Sequence, residues 1–394
     1  MKISESISKL KASATLAVSA RAMELKALGR DIISLSVGEP DFPTPEYICR
    51  AAKEAIDAGF TRYTPAQGMP ETRAAAAAYF NHFYDAQATE ENIIINNGGK
   101  HSIYNIFMCL LNPGDQAIIP APYWVSYPPM VELTGAKAVI VQTAPEKDFK
   151  VTPAMLDQCL TPKSRLLILN SPSNPTGVCY GEDEMNALAQ WAVDKNIIVL
   201  SDEIYDRLVF GEAKTVSLCS WWKKHPENFV IVNGVSKTFA MTGWRLGYTL
   251  AEPGLIKAMT RLQGQCTSNV SSISQKAAIA ALSGDFSEVE KMRTAFERRR
   301  DLAMQIISSW PNVVCPKPQG AFYCFIDLHR HYGRRFADST ALCNVLLEEA
   351  GIAAVPGIAF GDDRCIRISY AVSDEVLKEG LKRISGVLLN GGQQ

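Results

Sequence analysis

Seven short apolar runs, rich in isoleucine, valine and leucine, punctuate the middle of this chain and limit its fold more than any other feature. They are NIIIN (92–96), QAIIP (116–120), AVIVQ (138–142), RLLILN (165–170), NIIVLSD (196–202), FVIVNG (229–234) and RLGYTLAE (245–252). Helical patterns such as SIYNIFMCLL and EDEMNALAQWAVDK lie between several of them. Continuous aliphatic runs alternating with helices predict an α/β fold whose mainly parallel seven-stranded sheet is covered by helices on both faces. This block spans residues 45–285.

Outside it the texture changes. MRTAFERRRDLAMQIISSW and STALCNVLLEEAG read as helices around the strand AFYCFIDL, and CIRISYA precedes EVLKEGLKRISGVLL. At the other end ATLAVSARAMELKALG predicts a helix leading into IISLSVGEPDFPTP, a strand and a proline-rich loop. A smaller α+β domain built from both termini, residues 1–44 and 286–394, is the expected companion of the 45–285 block.

Composition narrows the function. The chain has 394 residues, 47% of them apolar, and a formal net charge of −1 with Lys and Arg scattered throughout. That balance offers no electrostatic footprint for nucleic acid or an acidic membrane surface. No apolar stretch approaches the ~20 residues of a membrane span, and MKISESISKLKAS lacks the apolar centre of a secretory signal, so a cytoplasmic location is expected. The ten cysteines stand singly, without a C-x-x-C pair, and read as reduced, mostly packed thiols. His329 and His331 lack the further ligands that a metal requires and read as a polar loop, so no metal is expected.

In parallel α/β sheets ligands bind beyond the carboxyl ends of the strands. Four such ends here carry Gly98, Gly99 and Lys100, then Asn174, then Asp202 and Tyr205, then Ser236 and Lys237. Each has an ordinary explanation: a strand-to-helix turn, turn chemistry in NPTG, a helix cap, a solvated lysine. Together they are the parts of a small-molecule site. Two glycines at a helix N-terminus let backbone amides approach a phosphate, and Ser236 and Arg245 can add charge-assisted bonds to it. A lysine in a partly dry pocket has its neutral amine favoured, which suits covalent attachment to an aldehyde. With an acid placed to hold a protonated ring nitrogen, these features describe pyridoxal 5′-phosphate as the cofactor.

The strings SLSVGEPDFPTP, YTPAQGMPE, NNGGK, APYWVSYP, NSPSNPTG, SDEIYD, SKTFAMTGWRLGY, PQGAFY and RISYA, in this order, resemble the class I aminotransferases of pyridoxal phosphate fold type I. The resemblance extends over residues 10–390 and is greatest to the bacterial aspartate aminotransferase subgroup that includes enzymes acting on prephenate. It implies that Lys237 carries the cofactor covalently and moves the substrate proton. Ser236, Arg245 and the Gly99 and Lys100 amides would hold the phosphate, and Asp202 the pyridine nitrogen. Tyr205 and Asn174 would bond the phenolic oxygen. Trp124 would stack on the ring, although by itself it reads as a core aromatic. Tyr63 would reach the phosphate of a neighbouring subunit, which implies a homodimer with shared sites.

For the substrate, the resemblance implies that Arg367 clamps the α-carboxylate as a bidentate pair with the Gly38 backbone beside it; alone, a strand arginine could equally be a surface ion pair. Lys100, supported by Lys11 and Thr15, would hold the second carboxylate of aspartate or glutamate. The expected reaction is ping-pong transamination between such an amino acid and a 2-oxo acid. Prephenate or an aromatic amino acid is an alternative substrate, and a lyase or decarboxylase on the same scaffold an alternative reaction. A regulatory module that senses ligand would need an attached basic DNA-binding segment, for which the pattern leaves little room.

Overall fold

The structure is a computed structural model and describes residues 1–8, 10 and 12–390. Its twelve strands are β1 (Ile33–Ser34), β2 (Ile93–Asn96), β3 (Gln116–Ala121), β4 (Lys137–Gln142), β5 (Ser164–Asn170), β6 (Ile198–Asp202), β7 (Phe229–Gly234), β8 (Gly247–Leu250), β9 (Tyr323–Asp327), β10 (Ile352–Ala353), β11 (Val355–Pro356) and β12 (Cys365–Ser369). The seven apolar runs become one seven-stranded sheet in the order β2-β8-β7-β6-β5-β3-β4. All its pairings are parallel except those of β8, which runs antiparallel to both β2 and β7. Only a four-residue helix, Val235–Thr238, and a short 3-10 turn separate β7 from β8. A connection that small turns the chain back instead of carrying it across the sheet, as a parallel neighbour requires.

Period-two alternation divides each apolar run between two cores. Ile93, Ile95, Leu167, Leu169 and Ile231 face one cluster, while Ile94, Leu166, Ile168, Val230 and Val232 face another that includes Ile103, Ile106 and Phe107 of the helix Gly99–Leu110. Both faces are therefore dry, which is why the strands need no polar residue until their ends.

The segments outside the large sheet form a third core. Antiparallel β11, β12 and β9 supply Cys324, Ile326, Ile366 and Ile368, covered by helices Ser287–Ile307 and Asp374–Asn390. The predicted N-terminal helix is Ala14–Ala27, and after it β1 pairs in parallel with β10, so the early chain is fastened to late elements. All ten cysteines are free thiols. His329 and His331 lie in a short 3-10 turn, with the His329 ring 2.6 Å from Asp327. Among the described residues no helix is long and apolar enough to cross a membrane.

Candidate active site

A cleft of about 520 Å³ opens at the carboxyl ends of the parallel strands. Its floor is set by the ends of adjacent strands: Asn170 on β5, Asp202 on β6, and Ser236 and Lys237 just past β7. Beside them β2 ends at Asn96, and the chain turns through Gly98 into the helix Gly99–Leu110. The amides of His101 and Ser102 bond the Gly98 carbonyl, and those of Gly99 and Lys100 have no acceptor among the described residues. Gly98 has φ +86°, and a Cβ there would lie 2.5 Å from Nη2 of Arg245. The missing side chain is what lets the guanidinium rest against the helix N-terminus.

Lys237 donates from Nζ to the Gly38 carbonyl at 2.5 Å. Its pKa is pushed down to about 8, chiefly by loss of water; Glu39 pulls it back up, the Arg245 and Arg367 cations lower it further, and Asp202 opposes them. Asp202 is 6% exposed, and its carboxylate receives the Tyr127 hydroxyl at 2.6 Å and the Ile204 amide at 3.3 Å. Burial raises its pKa to about 6 despite those two donors. Tyr205 shares a 2.9 Å hydrogen bond with the Tyr323 hydroxyl. A buried carboxylate without a cationic partner in contact, beside a lysine half neutral near pH 8, is poised to receive a positively charged group.

Arg367, on β12, projects into the same cleft and is 3% exposed. Nη1 donates to Asn174 Oδ1 at 3.0 Å and Nη2 to the Ser36 carbonyl at 2.6 Å, while Nε has no partner among the described residues. The guanidinium lies 4.5 Å from the ring centroid of Tyr323. Lys100 also lines the cleft, its ammonium 5.0 Å from the Trp124 ring centroid.

The sequence model of the aminotransferase class I and II family matches residues 30–384. The chain belongs to that family. It is 42% identical over 385 residues to the aspartate aminotransferase of Bacillus subtilis, covering 98% of each chain. It is 43% identical over 389 residues to the aspartate/prephenate aminotransferase of Cereibacter sphaeroides, covering 97% of each. Among solved structures it is similar to the aspartate aminotransferase from Thermus thermophilus with maleate, with a TM-score of 0.93 and 39% identity over 98% of this chain and all of that one.

In this aminotransferase the cleft gathers Gly38, Gly99, Lys100, Trp124, Asn174, Asp202, Tyr205, Ser236, Lys237, Arg245 and Arg367, with Thr15 on its rim. Two expected residues are not among them. Tyr63 stands outside the cleft and is 92% exposed, and Lys11 lies outside the described residues. The cleft also contains residues to which sequence reasoning gave no role: Asn170, Glu39 and Tyr323, with Tyr127 directly behind Asp202. Asn170 could have been found by the strand-end rule, being the last residue of β5. Tyr127 and Tyr323 sit inside motifs already singled out, APYWVSYP and PQGAFY, but nothing local marks which atoms they reach.

Proposed function

We propose that this aminotransferase holds pyridoxal 5′-phosphate in the cleft and exchanges an amino group between aspartate or glutamate and a 2-oxo acid in two half-reactions. The observation that carries the proposal is the meeting of Lys237 and the buried Asp202 in one cleft at neighbouring strand ends, where burial lowers the pKa of the amine and raises that of the carboxyl. The residues fit the cofactor: uncommitted amides at Gly99 and Lys100 with Ser236 and Arg245 suit its phosphate, and Asp202 suits a protonated ring nitrogen. When bound, pyridoxal phosphate supplies an aldehyde that accepts the amino group and an electron-poor ring that stabilises negative charge at the substrate Cα.

The protein's own work is then positional and acid–base. Asp202 holds the ring-nitrogen proton, Tyr205 and Asn174 bond the phenolic oxygen, and Trp124 packs on the ring. Arg367 exchanges its Ser36 carbonyl contact for the substrate α-carboxylate, which satisfies its unpartnered Nε. Lys237, withdrawn from the Gly38 carbonyl, takes the Cα proton as a neutral amine. Lys100 and Thr15, with Lys11, receive the second carboxylate. We further assign residues 45–285 to a cofactor-binding domain and residues 1–44 with 286–394 to a smaller one, and place the enzyme in the cytoplasm as a homodimer in which the exposed Tyr63 serves the partner's phosphate.

A second reading, transamination of prephenate or an aromatic acid, rests only on the apolar side chains lining the cleft, where Leu16 and Met23 are 68% and 72% exposed. The decisive experiment is spectral. Aspartate should bleach the visible band of the holoenzyme and 2-oxoglutarate should restore it, and borohydride should fix the cofactor on Lys237. A protein that carries no reducible adduct at Lys237 would overturn the proposal, while a panel of 2-oxo acids ranks the two substrate readings.

A further inference from the structure

A second cleft, of about 330 Å³, shares no wall with the first. It lies among the end of the helix Pro70–Tyr84, the segment after β6 and the start of the helix Ser287–Ile307. Its aromatic walls, Phe83 and Phe286, pack on the core of the large sheet, whereas the Ser287–Ile307 helix continues into the third core through Phe296. The cleft therefore lies on the seam between two cores, where small-molecule sites concentrate.

Asp206 and Glu290 act on the Arg207 charge through space, but among the described residues neither forms an ion pair with it in contact. The Arg207 guanidinium lies over Phe83, 4.1 Å from the ring centroid, and its buried Nε has no hydrogen-bond partner among the described residues. The adjacent Asp206 does not supply one, because its Oδ2 accepts from Tyr79 at 2.6 Å and Tyr84 at 2.7 Å. Arg293 on the opposite wall is already engaged by Glu290 and Glu297, each at 2.7 Å. Exposed Lys214 adds a second cation at the mouth. A guanidinium on the cleft wall that no carboxylate contacts among the described residues can pair with an acceptor that enters the cleft.

We propose that this cleft is a binding site for a small organic monoanion, a carboxylate carried on a flat apolar ring. The planar fork of Arg207 matches a carboxylate, with Lys214 beside it, and the ring rests on Phe286 and Val289. Glu290 on the same wall disfavours a dianion such as phosphate. The site stands independently of the substrate assigned to the main cleft.

The test uses the holoenzyme with para-fluorobenzoate, followed by fluorine NMR and calorimetry in a buffer free of phosphate and carboxylates. Wild type should show binding that survives Arg367→Leu, which disables the carboxylate clamp of the main cleft, and that weakens by about tenfold or more in Arg207→Leu. Lys214→Gln alters only an exposed side chain and should weaken the same binding about threefold. Arg207→Lys, which keeps the charge but not the fork, should recover only part of the loss. Binding that vanishes entirely in Arg367→Leu overturns the proposal, as does binding that Arg207→Leu and Lys214→Gln both leave unchanged.

Discussion

The Tyr127 hydroxyl donates to Oδ2 of Asp202 at 2.6 Å, with both side chains buried. It is the nearest neutral donor to the carboxylate and keeps the Asp202 pKa lower than burial alone would leave it. Removing the hydroxyl should favour protonated Asp202 and weaken its hold on a protonated ring nitrogen. Tyr127→Phe is expected to reduce kcat by roughly tenfold, the worth of one hydrogen bond to a charged group, and to speed release of the cofactor. Unchanged kcat together with unchanged cofactor release would count against this role.

Lys237 should reveal its lowered pKa in the apoprotein. At pH 8 about half of its amine is neutral, whereas an ordinary lysine is roughly 0.3% neutral there. The rate at which apoprotein takes up pyridoxal phosphate should climb with pH, reach half its limit near pH 8 and level off above about pH 9. Lys237→Ala should form no borohydride-fixed adduct and lose turnover. A rate still rising steeply at pH 10 would show that the amine is not perturbed.

The proposed function divides substrate recognition between Arg367 and Lys100. Arg367→Lys loses the bidentate fork and should raise KM for every amino acid by about tenfold or more, with the cofactor spectrum unchanged. Lys100→Met should raise KM for aspartate by a similar factor but leave phenylalanine nearly unaffected. Equal losses for both substrates in Lys100→Met would remove Lys100 from side-chain recognition.

Glu203, directly after Asp202, gives a stability prediction. It is 1% exposed, its Oε1 accepts from Ser201 and the Leu218 amide, its Oε2 has no partner among the described residues, and burial raises its pKa to about 7. Between roughly pH 4.5 and 7 the folded protein retains a proton that the unfolded chain has released. Stability therefore falls with rising pH through that window, by up to about 1.4 kcal/mol per pH unit from this group. Glu203→Gln keeps the shape without the titration, so its unfolding midpoint should decline less than that of wild type between pH 5 and 8. Parallel pH profiles for the two proteins would contradict the assignment.

Much of the site was legible because strand ends are marked locally. Gly99, Asp202 and Lys237 follow directly on apolar runs, and a parallel sheet brings such ends to one edge. Tyr63 was legible only as a motif, and it stands exposed outside the cleft. The direction of β8 was not legible at all, since an apolar run has the same pattern in either orientation.

From the chain alone came the seven-stranded α/β sheet and the residue types at the strand ends. Folding decided the contacts that tune them: Tyr127 on Asp202 across 75 residues, the Gly38 carbonyl on Lys237 across 199, and the Ser36 carbonyl on Arg367 across 331. Hydrophobic periodicity acts between residues a few positions apart and so is written in order along the sequence. A hydrogen bond depends on a separation of about 3 Å in space, and for partners so distant along the chain only the packed cores bring that about.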